Sequence, residues 1–288
     1  MRTLAALSAA VVVAIAPAAP AVAGISGQTE SLGKSKGLEY MRASFPNVLT
    51  QTPQPANCDG DAQIVGGGGS ISGPAPQSTL NETYPVPPSA WQAEGNSTGA
   101  ARTLKAYAVC GGFVPEYESN QSSLGENTVL IASALCAVDT NPIGGGGGAT
   151  GAGIRTIASF PRLPPNSPLG WHPFAHNTTI DDTLWDSWAI CSELDVKYRE
   201  SARVRIGPGE TGKAIAKCKA KEAVVSGGWA GKRENVIGYT MRALTTRPWD
   251  SKQDANKVPD DGWLAKAQNL HTQGIDIVAN AICKRPAG

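Results

Sequence analysis

Thr103-Leu104-Lys105-Ala106-Tyr107-Ala108-Val109-Cys110 is the stretch that decides the fold. Its apolar residues recur at every second position, the mark of a strand with one buried face rather than of a helix. Two other segments end in the same way, Trp188-Ala189-Ile190-Cys191 and Asn280-Ala281-Ile282-Cys283. Fourteen residues before Cys110, Cys191 and Cys283 stand Asn96, Asn177 and Asn269, and five or six residues before each Asn stands Trp91, Trp171 or Trp263. Further upstream each set has a proline closing a strand (Pro85, Pro161, Pro248) and a glycine cluster (Gly66 to Gly69, Gly144 to Gly148, Gly227-Gly228). Before each cluster comes another cysteine (Cys58, Cys136, Cys218), preceded at 18, 19 and 20 residues by Tyr40, Tyr117 and Tyr198. The chain therefore reads as three copies of a unit of about 80 residues, at 40–116, 117–197 and 198–288, after a lead at 24–39.

Six cysteines allow fifteen pairings, and spacing alone does not choose among them. Equivalent units close equivalent bridges, which selects Cys58–Cys110, Cys136–Cys191 and Cys218–Cys283. Each bridge spans more than fifty residues, and the chain-entropy picture assigns such loops about 4 kcal/mol apiece. Units this small have marginal cores, so the bridges matter to them.

Strand signals also sit at Ile154 to Phe160, Tyr239 to Thr245, Val129 to Leu135 and from each repeat tryptophan onward. With 33 Gly and 21 Pro among 288 residues, long helices are excluded. The fold expected is all-β, with three tandem repeats and antiparallel sheets, built either as a β-prism-like pseudo-threefold array or as three small sandwiches. Glycine inside a strand loses entropy and packs nothing. Its recurrence at one place in each unit, flanked by Ile64-Val65 and Val224-Val225, points to close backbone approach where sheets meet.

The N-terminus sets the compartment. Arg2, an apolar run from Leu4 to Ile15 and the small-residue site Ala21-Val22-Ala23 have the layout of a secretory signal peptide at 1–23. The run is too short for a bilayer span. Without Arg2 the chain has 24 basic and 24 acidic residues, a balance that excludes a general nucleic-acid binder. At 17% charged and 41% hydrophobic the chain is neither disordered nor membrane-spanning.

Gly37-Leu38-Glu39-Tyr40, a cysteine, the glycine cluster, a strand ending in Pro, a Trp strand and Ala106-Tyr107-Ala108-Val109-Cys110 together resemble a repeat of secreted actinomycete proteins. The resemblance covers essentially the whole mature chain and implies architecture and location, not an activity. A pseudo-threefold set of antiparallel sheets is similar to the β-prism of vitelline membrane outer layer protein and of some plant lectins, a likeness of fold alone.

Chemistry is sparse in the sequence. On a strand His172 and His176 share a face and have Asp181 and Asp182 nearby, but no spacing fixes a third metal ligand. Gly207 to Ala214 nearly spells a P-loop, yet Ala214 replaces the Ser or Thr that ligates magnesium and the segment leads into a strand. No hydrolase elbow is present, and neither a cofactor nor a metal is expected. Trp185, Trp229 and Trp249 break the repeat and are the candidate ligand contacts, since aromatics beside polar groups suit sugars. Residues 117–197 carry 3 basic and 8 acidic residues, and 198–288 carry 16 and 9. That asymmetry fits an anionic wall polymer held by the third unit, or self-association. The function expected is a secreted, lectin-like binding protein for a polysaccharide or cell-envelope polymer, not an enzyme. The alternatives are a structural coat protein and a hydrolase with dispersed acids.

Overall fold

Period-two patterning, broken at roughly one position in five by Gly or Pro, leaves strands as the regular element available to this chain. A computed structural model describes residues 27–49, 53–73, 77–149, 153–163, 169–233, 236–237, 241–251 and 256–285, and among them there is no helix. The leader expected at 1–23 and Tyr239 lie outside the described residues. The first third contains β1 (Thr29–Ser35), β2 (Leu38–Val48), β3 (Gln54–Asn57), β4 (Gln63–Ile71), β5 (Ser78–Val86), β6 (Ala90–Ser97) and β7 (Arg102–Gly111). The second holds β8 (Glu116–Leu124), β9 (Val129–Ile131), β10 (Ala134–Leu135), β11 (Asn141–Ala149), β12 (Ile154–Arg162), β13 (Gly170–Asn177) and β14 (Thr183–Ser192). The last has β15 (Val196–Glu200), β16 (Val204–Ile206), β17 (Thr211–Lys217), β18 (Ala223–Arg233), β19 (Val236–Ile237), β20 (Met241–Trp249), β21 (Gly262–Asn269) and β22 (Ile275–Lys284).

These strands form three antiparallel sheets, none closed into a barrel. The seven-stranded sheet runs β1-β2-β7-β4-β20-β21-β17. The six-stranded sheet runs β3-β6-β5-β11-β14-β8, and the main path of the nine-stranded one is β10-β13-β12-β18-β22-β15. Every sheet joins strands from two thirds of the chain. The glycine strand β4 pairs with β20, β11 with β5, and β18 with β12. The exchange is cyclic, so the two architectures left open by the sequence resolve to one prism-like array and not three separate sandwiches.

Glycine is required at these seams. A Cβ on Gly68, Gly146 or Gly228 would lie 1.9 Å from the carbonyl oxygen of Thr246, Thr83 or Ser159 on the neighbouring third. The residue before each faces the repeat tryptophan: a Cβ on Gly67, Gly145 or Gly227 would come within 2.4 Å of Trp91, Trp171 or Trp263. The three indoles are fully buried. Trp171 Nε1 donates to Ser159 Oγ and Trp263 Nε1 to Thr246 Oγ1, each at 2.8 Å, whereas Trp91 Nε1 has no such partner.

The repeat tyrosines fasten one third to another. Tyr40 donates to the Val224 carbonyl at 2.7 Å, Tyr117 to Ile64 at 2.9 Å and Tyr198 to Pro142 at 3.1 Å, each acceptor lying near the start of another third's glycine strand. Burial raises all three hydroxyl pKa values, so the donors keep their protons. Tyr40→Phe is expected to lower stability by about 1 to 2 kcal/mol, since it orphans a buried carbonyl. A thermal melt should show a fall of several degrees, and an unchanged melt would remove the latch from this account.

The three bridges close as the repeat requires, Cys58–Cys110, Cys136–Cys191 and Cys218–Cys283, with Cα separations of 5.7, 5.6 and 5.7 Å. They fit an oxidising compartment. Among the described residues no helix is long and apolar enough to cross a membrane. The sequence alignment slips once. Asn177 pairs with Ile154 and Asn269 with Met241, but the matching pair in the first third is Ser97 with Ser78, so Asn96 stands one place out of register. Asn177 and Asn269 each donate to three backbone carbonyls, a staple that Ser97 replaces with one bond to Ala100.

Candidate functional site

Two of the three tryptophans singled out as ligand contacts are interior. Trp185 is 0% and Trp229 2% exposed, so neither can stack on a ligand at the surface. Trp185 fills the space over Gly147, and Trp229 replaces a glycine in β18 beside the seam with Ser159. Both break the repeat because they fill gaps in it. Trp249 is partly exposed, with the Lys217 ammonium 5.6 Å from its ring centroid.

Trp249 sits at one end of β20, on the face that also carries Arg247 and Thr245. This is the outer face of the seven-stranded sheet. Across it Lys213 on β17 is in register with Lys266 on β21, Lys266 with Thr245, Thr245 with Ser70 on β4, and Ser70 with Lys105 on β7. In the next row Arg247 lies over the Tyr107 ring, 5.5 Å from its centroid. These side chains line an open groove of about 330 Å³ together with Ser72, Thr103 and Leu264. Among the described residues no carboxylate lines it, and Lys105, Lys213, Arg247 and Lys266 make no ion pair. Arg42, beyond Tyr107, is already held by Glu30.

The other two sheets show that the fold does not demand lysine here. The equivalent row of the six-stranded sheet is acidic: Glu94 pairs with Glu82, and Asp186 on β14 follows across Gly148. In the nine-stranded sheet the row is apolar, with Phe174, Ala158, Ala230 and Val278 forming one cluster. One position on three faces thus carries basic, acidic and apolar side chains. Gathering four unpaired cations within one groove raises their mutual repulsion.

The acidic row is no cleft. Glu82 is 1% and Glu94 5% exposed. Burial and then the Glu94 charge push the Glu82 carboxyl well above its ordinary value, and burial lifts Glu94 to about 7 against an opposing bond from Asn81. Neither Glu82 oxygen has a well-formed hydrogen bond, although the Ala149 amide approaches. Burial thus favours the protonated form of both carboxyls.

The remaining sequence candidates have structural partners. His172 and His176 share a face of β13, but Ser133 lies 3.3 Å from one and Arg155 3.1 Å from the other, while Asp182 accepts from the Glu126 amide. Burial and nearby arginines lower both histidine pKa values. Among the described residues the one grouping with metal-ligand spacing is Cys218, Glu222 and Cys283, and its sulfurs are joined as a disulfide. In the P-loop-like turn the Glu210 carboxylate accepts from the Gly207 amide at 3.0 Å, where a phosphate would need that donor, and β17 follows instead of a helix. Sequence reasoning missed Lys105, Lys213, Arg247 and Lys266 as a group, because the first lies in another third of the chain. The charge excess of residues 198–288 was the available signal. No protein-family model matches the chain, and no curated protein matches it.

Proposed function

We propose that the protein is a secreted binding protein that holds an anionic polysaccharide or cell-envelope polymer on the outer face of its seven-stranded sheet, without catalysing a reaction. The observation that carries this reading is the row of unpaired lysines at a position where the two sister sheets have acids and apolar residues. Hydroxyls of Ser70, Ser72, Thr103 and Thr245 and the Tyr107 ring line the groove with the cations, and Trp249, beside Lys217, extends the same face further along β20. Charge, hydroxyl and aromatic groups along an open groove suit a repeating, hydroxyl-rich anion. Three disulfides and a leader at 1–23 support an extracellular setting.

The test is binding to polygalacturonate, with neutral dextran and duplex DNA as comparators. Affinity for the polyuronate is expected to fall as salt rises through about 0.15 M, where the Debye length is about 8 Å. Lys213→Gln with Lys266→Gln should weaken binding at least tenfold, roughly 1.4 kcal/mol, and leave the melting temperature unchanged. Trp249→Ala should weaken it by about 1 to 3 kcal/mol. Equal binding of dextran, tighter binding of DNA, or indifference to the lysine pair would each refute the reading.

A further inference from the structure

Six residues before Pro85, Pro161 and Pro248 stand Thr79, Arg155 and Arg242. Each faces a polar residue on the neighbouring strand: Thr79 pairs with Asn96, Arg155 with His176 and Arg242 with Gln268. The three positions are equivalent in the pseudo-threefold array, yet two hold arginine and the third a short hydroxyl side chain. A pit of about 160 Å³ lies among them, lined from all three thirds, with Thr79, Asn81 and Asn96 from the first, Arg155 and Thr178 from the second and Arg242 from the third. It is the room a third arginine would occupy. At about 30 Å³ of liquid volume per water, the space holds roughly five waters or a tetrahedral oxyanion with part of its hydration.

The lining is matched to an anion. None of the described lining residues is acidic, and apart from Gly153 and Ile154 the neutral ones are amides and hydroxyls able to donate. Arg155 and Arg242 stand close enough to repel: burial, followed by the Arg242 charge, lowers the Arg155 pKa, and burial lowers that of Arg242. Arg155 contacts His176 Nδ1 through one terminal nitrogen at 3.1 Å, while its Nε is buried without a partner. The opposite edge of the guanidinium, at Nη1, makes no bond to a described residue and is the donor that can take an oxyanion. His176 then serves as the acceptor that orients it, consistent with a lowered imidazole pKa.

We propose that this pit is an oxyanion site, taking one phosphate-, sulfate- or carboxylate-sized group between Arg155 and Arg242. It is separate from the lysine groove and does not depend on it, although Arg242 and Thr245 share a strand and stand roughly 10 Å apart by strand rise. The occupant is either a free ion or the terminal group of a chain lying on the groove; both present the same chemistry to the pit.

The experiment titrates inorganic phosphate into the full mature chain at constant ionic strength balanced with sodium chloride, following the Arg155 Nε–H resonance and the melting temperature. Saturable binding in the millimolar range with a shift of that resonance is expected. Arg155→Gln should weaken phosphate binding at least tenfold, and the Lys213→Gln, Lys266→Gln pair should leave it unchanged. Linear polyphosphate separates the sources. Tighter binding of the chain that disappears in the lysine variant marks a polymer end, and equal binding marks a free ion. No saturation beyond the chloride control, a silent Arg155 resonance, or wild-type affinity in Arg155→Gln would overturn the proposal. The resonance on the wild-type protein decides the matter even where the variant fails to fold.

Discussion

Gly146→Ala is expected to destabilise the protein by roughly 3 kcal/mol or more, above the usual range for one added methyl group. The new Cβ would lie 1.9 Å from the Thr83 carbonyl oxygen and 3.0 Å from the Tyr84 Cα. Both atoms are backbone of the neighbouring third, so relief requires moving β5 against β11 and not turning a side chain. Gly68 and Gly228 meet the same obstacle at Thr246 and Ser159, and their alanine variants should behave alike. Gly112 is the control, because a Cβ there meets nothing within 4 Å. Denaturant unfolding of the four variants checks the expectation. A Gly146→Ala protein within about 0.5 kcal/mol of Gly112→Ala, the spread of ordinary surface changes, would mean that the seam is not close-packed.

The second large effect concerns Glu82. Glu94 and Asp186 face it as charges, and Tyr84, whose ring lies against Gly148, faces it as a neutral phenol with its pKa raised by burial and then by these same acids. Glu82 and Glu94 have folded pKa values above their unfolded ones, so the folded chain keeps protons that the unfolded chain has released. The stabilisation is complete below the ordinary glutamate value of about 4.3. It is lost as pH rises through the folded values, about 7 for Glu94 and well above the ordinary glutamate value for Glu82. Each proton contributes a slope of roughly 1.4 kcal/mol per pH unit across its window. Glu82→Gln keeps a neutral side chain of the same shape and removes one such slope. It should match the wild type near pH 4 and exceed its stability at pH 8 by on the order of 3 kcal/mol. Parallel stability curves for the two proteins would show that Glu82 is solvated.

The cysteine pairing was legible because six in-register residues leave one set of equivalent bridges. The repeat tryptophans and glycines were legible as a pattern, and their mutual contact gives that pattern its cause. The exchange of strands was not, since a period of two says which face of β4 is buried but nothing about which strand lies beside it. Trp185 and Trp229 were misread for a related reason. A residue unique to one repeat looks functional in a sequence, whereas a pseudo-symmetric core has unequal gaps that unequal side chains fill. The lysine groove is made by the seam itself, where Lys105 meets Lys213, Arg247 and Lys266 across a separation of more than one hundred residues. No window along the chain contains it. The Arg155 and Arg242 pit hides likewise, as it is defined by what Thr79 lacks.

The cyclic pairing of glycine strands also sets an order of assembly. Gly69 and Ser70 find their partners at Thr246 and Thr245, so the edge of β4 stays open until nearly the whole polypeptide has been synthesised. Contacts of such long range slow folding, and an uncovered strand edge is a template for pairing with other chains. A fragment ending before β20 would therefore present β4 as an adhesive edge, and copies of a single unit could satisfy one another only by closing as a trimer. In that sense the chain is a covalently linked three-part ring whose last segment fastens its first.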